Sequence, residues 1–268
     1  MGLSDNRLII HNSDLGTFNN CEVLFYKTFI QGFRPLGNKY TAFGCAIHTS
    51  LDRFYDHFSV LKMKEDFDAE FKKELKLAGV TLSDLDYYNF MTESKQMFDN
   101  FYNLELSKDR LKYVEKREIQ FSFNYKNIQN VDVVFEGRID RISDECVWDY
   151  KTSRKKFYID RTDSQMVIYS LAYQSMYNVM PKNGIFIFLK GGVEYPFPVS
   201  QYCFDLLDGK VNKVLNLLLT KRAPVPNHNY CYSCGLRLTC EHKKQVANKT
   251  KTKIYIRNKA ISDLESLF

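Results

Sequence analysis

Residues 131–153 read VDVVFEGRIDRISDECVWDYKTS, and the alternation within them decides the fold. Val133, Phe135 and Ile139 alternate with more polar positions, and Val147, Trp148 and Tyr150 carry a second apolar run after a short polar turn. That pattern predicts two β-strands joined as a hairpin. Asp140 falls near the end of the first strand and Asp149 inside the second. Lys151 follows Asp149 by two residues, so strand geometry puts both side chains on one face. Paired carboxylates suit a hard cation such as Mg²⁺, which takes oxygen ligands and keeps several waters. A lysine beside them can orient a water or neutralise charge developing on a phosphate. A solvated hairpin with an Asp149–Lys151 salt bridge fits the same residues without any chemistry, since D-x-K is a short motif.

The bulk numbers leave that choice open. A chain of 268 residues can bury a full-sized core. Its 44% hydrophobic and 26% charged residues are ordinary for a globular protein. A net charge of +6 permits an acidic partner such as nucleic acid without requiring one. No apolar run approaches the ~18 residues of a membrane span, and no signal-peptide pattern opens the chain, so no membrane and an intracellular, cytoplasmic location are expected. In such a compartment the seven cysteines are better metal ligands than disulfides wherever they cluster. There is no G-x-x-x-x-G-K-[ST] motif, which excludes an ATP-driven motor of that kind.

Taken in order, Ser13 to Cys21 predicts a capped helix, with Ser13 or Asp14 as N-cap. Cys21 alone reads as a small buried hydrophobe. Gly44 to Phe58 predicts a second helix with Phe43, Ile47, Leu51, Phe54 and Phe58 as its buried stripe, and His48 at the stripe's edge. Residues 62–107 predict two or three more helices, broken at Thr81–Asp84, as a helical insertion. Lys112 to Phe123 alternates like a first strand, with Tyr125 to Asn130 as the turn into the hairpin. Arg154, Lys155 and Lys156 form either a solvated loop or a phosphate-contacting rim. Thr162 to Asn178 predicts a helix on which Gln165 and Tyr169 share a face, and Thr162-x-x-Gln165 also fits a capping box. Gly184–Leu189 and Val193–Val199 predict a hairpin turned by Gly191-Gly192, and 201–220 a last amphipathic helix. Cys231-x-x-Cys234-x5-Cys240 is a metal-site pattern, and a zinc knuckle completed by His228 or His242 satisfies it.

Taken together, G137-R-I-D-R-I142 and V147-W-D-Y-K-T-S153 closely resemble the nuclease core of the PD-(D/E)XK superfamily, in its RecB-like branch. Asp140 follows Ile139 where the superfamily's name has proline. The resemblance implies Asp140, Asp149 and Lys151 as catalytic residues. It implies His48, Asp140, Asp149 and the Tyr150 backbone carbonyl as ligands of Mg²⁺ or Mn²⁺, with the histidine nitrogen favouring Mn²⁺ somewhat. It places Gln165 and Tyr169, which match the branch's Q-x-x-x-Y, near the nucleic-acid strand, while Arg154, Lys155 and Lys156 are candidates for positioning DNA by their place after Lys151.

One group of these nucleases binds a [4Fe–4S] cluster through a lone upstream cysteine and three C-terminal ones. Cys21, Cys231, Cys234 and Cys240 match that arrangement, with Zn²⁺ as the alternative. The cluster would close a loop of about 210 residues. The implied fold is α/β, a restriction-endonuclease-like core of a central mixed sheet flanked by helices, with an iron–sulfur lobe formed from both termini. Residues 1–245 would form a single nuclease domain, and 246–268 a basic stretch with an apolar tail. The implied activity is metal-dependent hydrolysis of DNA, as an exonuclease on single strands or ends. A non-catalytic DNA-end-binding subunit or a zinc-stapled adaptor is the alternative. The ending Asp263-Leu-Glu-Ser-Leu-Phe268 either docks on the protein's own surface or grips a sliding clamp, whose terminal peptide ligands it loosely resembles.

Overall fold

The computed structural model describes residues 3–4, 6–33, 37–112, 114, 116–153, 163–237 and 239–242. Arg154, Lys155, Lys156, Thr162 and the tail 263–268 lie outside the described residues. The chain divides into two compact units, Met1–Leu15 with Gly37–Asn216 and Gly16–Leu36 with Leu217–Phe268.

The first unit is built on the predicted hairpin. Strands β1 (Leu3–Ser4), β2 (Arg7–Ile10), β3 (Lys116–Ile128), β4 (Val131–Ser143), β5 (Cys146–Lys151), β6 (Asn183–Phe188) and β7 (Val193–Phe197) form one sheet. Its order is β1-β2-β4-β5-β6-β7, with β3 paired to β4. The β2/β4 and β5/β6 pairs are parallel and the others antiparallel, so the sheet is mixed. Two tight turns set the register. Asp144 and Glu145 have φ of 54° and 58°, and Gln129 and Asn130 have 53° and 62°. Left-handed residue pairs of this kind match the twist of adjoining strands, so each hairpin closes with only two loop residues. Gly137 has its own reason to be glycine: an added Cβ would lie 2.7 Å from the Phe121 ring, which crosses it from β3.

Helices cover both faces. Helices α3 (Lys39–His57), α4 (Val60–Ala78) and α5 (Asp84–Ser107) start at Asn38, Ser59 and Ser83, whose side chains accept backbone N–H groups of the first turn. Their phenylalanines form a core with Trp148, Tyr150, Ile185 and Ile187. Alternation turns Asp149, Gly184 and Phe186 to the other face. There α6 (Gln165–Tyr177) packs so closely that a Cβ on Gly184 would collide with the Met166 side chain. Helix α7 (Gln201–Thr220) follows β7. This is the α/β core expected, a mixed sheet flanked by helices. No described helix is long and apolar enough to cross a membrane.

Several expectations need correction. The first helix, α1 (Asn12–Asn20), starts before Ser13, and Asp14 instead accepts the His11 N–H at 2.8 Å. Phe58 leaves the buried stripe: it is the left-handed cap of α3 (φ 53°) and is exposed. The first long strand starts at Lys116, not Lys112, and Tyr125 to Ile128 belong to it rather than to the turn. Helix α6 starts at Gln165, after Ser164 as N-cap with no side-chain cap bond, and Thr162, the other member of the expected capping box, lies outside the described residues. Between β6 and β7 the chain makes a 3-10 turn at Leu189–Gly191 before Gly192, whose φ is 59°.

Within the second unit, Cys21 sits between α1 and α2 (Glu22–Phe25) in extended conformation. The Glu22 carboxylate accepts both Arg222 terminal nitrogens, at 2.7 and 2.8 Å, and the Val225 N–H at 2.9 Å. Asn227 Nδ2 donates to the Asn20 carbonyl at 2.8 Å. A bidentate arginine–carboxylate pair is geometrically selective, and it joins segments 200 residues apart in sequence.

Candidate active site

Asp140 and Asp149 project from neighbouring strands, and both are nearly buried. Asp140 Oδ2 accepts the Tyr150 N–H at 2.8 Å, which ties the first carboxylate to the second strand's backbone. His48, four residues after Gly44 on α3, brings Nδ1 to 3.3 Å from the same oxygen. Burial disfavours the imidazolium, but the Asp140 charge and hydrogen bond, helped by Asp149 and Glu118, outweigh it and raise its pKa to about 9.

Asp149 stands in a second, adjoining network. Its Oδ1 accepts Gln165 Nε2 at 2.6 Å, and its Oδ2 lies 2.8 Å from Lys151 Nζ. Lys151 also donates to Gln165 Oε1, and Gln165 Nε2 donates to the Tyr169 hydroxyl at 2.9 Å. The amide orientation follows from charge: its oxygen meets the ammonium and its N–H groups meet the carboxylate, whereas a flipped amide would oppose like to like. Burial raises the Asp149 pKa, and the Lys151 ammonium opposes that shift without cancelling it. Buried Asp149 Oδ2 has this ion pair but no well-directed hydrogen bond, which leaves a lone pair for a cation.

Sequence reasoning missed one member, Glu118. It lies on β3 between the pairs Arg117↔Arg141 and Ile119↔Ile139, and so opposite Asp140. Its φ of 49° is rare for a non-glycine residue within a strand. Its carboxylate pairs with the Arg138 guanidinium. Burial, then repulsion from Asp140, raises its pKa to about 7 against the pull of Arg138. One ligand atom each from His48, Glu118 and Asp140 all lie within 4.8 Å of one another. Ligands held at about 2.1 Å by one ion sit up to about 4.2 Å apart, so the trio has nearly the spread of a coordination sphere. An imidazole nitrogen with two carboxylates fits a divalent cation that accepts mixed oxygen and nitrogen donors.

The structure thus brings His48 and Asp140 together with Glu118, and sets Asp149, Lys151, Gln165 and Tyr169 beside them as a linked group. Tyr150 contributes its N–H, while its ring points into the core, where its hydroxyl lies 3.3 Å from that of Tyr55.

The four cysteines singled out from the sequence all lie in the second unit. Cys21, Cys234 and Cys240 belong to one small cluster with Val23, Leu24, Tyr230 and Leu236. Burial raises the Cys231 thiol, as do Cys234, Cys240 and Cys21 close by. Cys21 Sγ accepts the Asn227 N–H at 3.4 Å. Cys45 is exposed on α3, while Cys146 and Cys203 are buried elsewhere. Of the two candidate histidines, His228 has a buried Nδ1 without a hydrogen-bond partner, and His242 Nε2 lies 3.8 Å from Glu241.

Carboxylates, a lysine and a histidine thus meet beside the β4–β5 pair of a mixed sheet, in an arrangement that can hold a divalent cation. The sequence pattern of the PD-(D/E)XK nuclease superfamily matches residues 12–241, so the chain belongs to that superfamily. No curated protein matches the chain. Among solved structures, "Crystal structure of SSO0001" is similar over 91% of this chain and 89% of its own, at 13% identity and a TM-score of 0.37.

Proposed function

We propose that this protein is a divalent-metal-dependent DNA nuclease acting on single strands or ends, as an exonuclease. The observation carrying this reading is the meeting of the His48–Glu118–Asp140 trio with the Asp149–Lys151–Gln165 network beside the β4–β5 pair. His48, Glu118, Asp140, Asp149 and the Tyr150 carbonyl would hold Mg²⁺ or Mn²⁺, which lowers the pKa of water and neutralises phosphate charge when bound. Lys151, aimed by Asp149 and Gln165, presents fixed positive charge to the phosphate as negative charge builds there. Tyr169 supports the Gln165 amide, and Gln165 holds the ammonium and carboxylate in register. The intact set disfavours a DNA-binding role without catalysis.

The test is anaerobically purified protein with Mg²⁺ or Mn²⁺ on end-labelled single- and double-stranded DNA. Progressive shortening from an end is the expected result. No cleavage of either substrate with either metal overturns the proposal.

Glu118→Gln removes one ligand charge while keeping size. It is expected to weaken Mn²⁺ binding about tenfold or more, read by calorimetry without DNA, with little change in melting temperature. Unchanged Mn²⁺ affinity removes Glu118 from the ligand set.

The second unit's thiols, Cys21, Cys231, Cys234 and Cys240, are proposed to hold a [4Fe–4S] cluster. Cys21→Ala is then expected to lose iron and the brown absorbance near ~400 nm of such clusters, and to become protease-sensitive, because metal-binding energy is also folding energy. Cys45→Ala is expected to change neither. Full iron content in Cys21→Ala breaks the four-cysteine grouping, and stoichiometric zinc in the wild type replaces the cluster with a zinc staple.

A further inference from the structure

A cavity of about 310 Å³ opens beside the active site, lined by Tyr40, Phe43, Phe90, Glu93, Thr152 and Ser153. Its position is set by the two elements that carry the chemistry. Thr152 and Ser153 directly follow Lys151, and two residues of extended chain span only about 7 Å. On the other side, α3 brings Gly44, one turn before His48, so near that a Cβ there would sit 3.5 Å from Thr152 Oγ1. Phe43 and Phe90 form a buried floor, with ring centroids 4.9 Å apart. Tyr40 stands at the rim, 60% exposed, its ring edge-on to Phe90 at 5.9 Å. The polar lining comes from two hydroxyl residues and from Glu93, held by Lys190 at 3.1 Å.

We infer that this cavity seats one unstacked nucleobase of the substrate strand, next to the phosphate that Lys151 faces. The inference rests on the nuclease reading. An aromatic floor with an exposed ring at the rim is the surface on which single-stranded bases stack without regard to sequence, because every base has a π-face. The volume lies at the small end of organic-ligand sites of about 300–1,000 Å³. It suits a single base, whose polar edge would meet the hydroxyls and the carboxylate of the lining. A duplex keeps its bases stacked and paired, so the seat also favours single strands and frayed ends.

Binding of labelled single-stranded oligonucleotides, measured without added divalent ion so that the strand stays intact, tests this. The series includes strands that each lack one base. Wild-type protein is expected to lose about tenfold in affinity when one particular base, counted from the end, is removed. Tyr40→Ala is expected to bind the intact strand about tenfold more weakly and to lose nothing further on removal of that base. Tyr40→Phe keeps the ring and is expected to behave as wild type. Tyr40→Ala with wild-type affinity overturns the inference, as does a Tyr40→Ala protein that still responds to the missing base. If the wild type neither binds nor cleaves any strand, the nuclease reading falls and the inference with it. Wild-type binding and cleavage with an inert Tyr40 discard the pocket alone.

Discussion

Lys151→Ala and Asp149→Asn are each expected to lower DNA cleavage by at least about 100-fold, the cost of removing one preorganised charge from a transition state. Lys151 Nζ meets the Asp149 carboxylate, Gln165 Oε1 and the Phe186 ring among the described residues. Its ammonium is therefore positioned, and its loss leaves the sheet intact. Asp149→Asn is isosteric, but it removes the charge that aims Lys151: with Oδ1 still accepting the Gln165 N–H, the new amide NH2 replaces the oxygen that faces the Lys151 ammonium and sets donor against donor. Both variants act on the chemical step more than on the bound strand, so DNA affinity is expected to change little while single-turnover cleavage falls. End-labelled DNA at saturating Mn²⁺ provides the measurement. A variant that keeps more than a tenth of wild-type turnover takes catalysis away from this network.

The residues tested there were legible because the hairpin that carries them is self-contained. Its alternation, its two-residue turn and the D-x-K spacing are all local, and local pattern fixes which face each side chain takes. Glu118 was hidden by a register effect. Counted back from the Gln129–Asn130 turn in unbroken pairing, Asp140 would face Ile119. The irregularity between Asn124 and Lys126 shifts the pairing by one residue and brings Glu118 across instead. A bulge leaves no reliable mark in composition, so only the three-dimensional register shows it. Strand β2 escaped for a related reason: four residues pair in parallel with Asp132–Phe135, more than 120 positions away, and such partners leave no turn signal. Gln165 allowed two readings, and its side chain joins the Lys151–Asp149 network.

The residue after Asp140 carries the other large effect. Arg141 is completely buried. Its Nη1 donates to Glu105 on α5 at 2.8 Å and to the Tyr55 hydroxyl on α3 at 2.6 Å. Arg110 approaches the other Glu105 oxygen at 3.3 Å, and both guanidinium groups lie 4.7 Å from the Trp148 ring centroid. One buried carboxylate thus serves two cations. Arg141 Nη2, Arg110 Nε and Glu105 Oε1 all lack well-directed hydrogen bonds, so the network is incompletely satisfied. Two consequences follow. Glu105→Ala strands a buried guanidinium, a loss of about 3–5 kcal/mol, which lowers the melting temperature by roughly 10 °C in a domain of this size. Replacing both partners, as in Glu105→Leu with Arg141→Met, removes the desolvated charges together and is expected to recover most of that loss. Thermal unfolding followed by circular dichroism reads both. A Glu105→Ala protein melting within about 2 °C of wild type contradicts the first, and a double variant no more stable than the single contradicts the second. Because Arg141 adjoins Asp140, and Tyr150 donates its N–H to that carboxylate, the double variant also shows what the pair does for the site. Recovered stability with weakened Mn²⁺ binding means that the buried charges hold the hairpin's carboxylate in place, at a net cost to the fold.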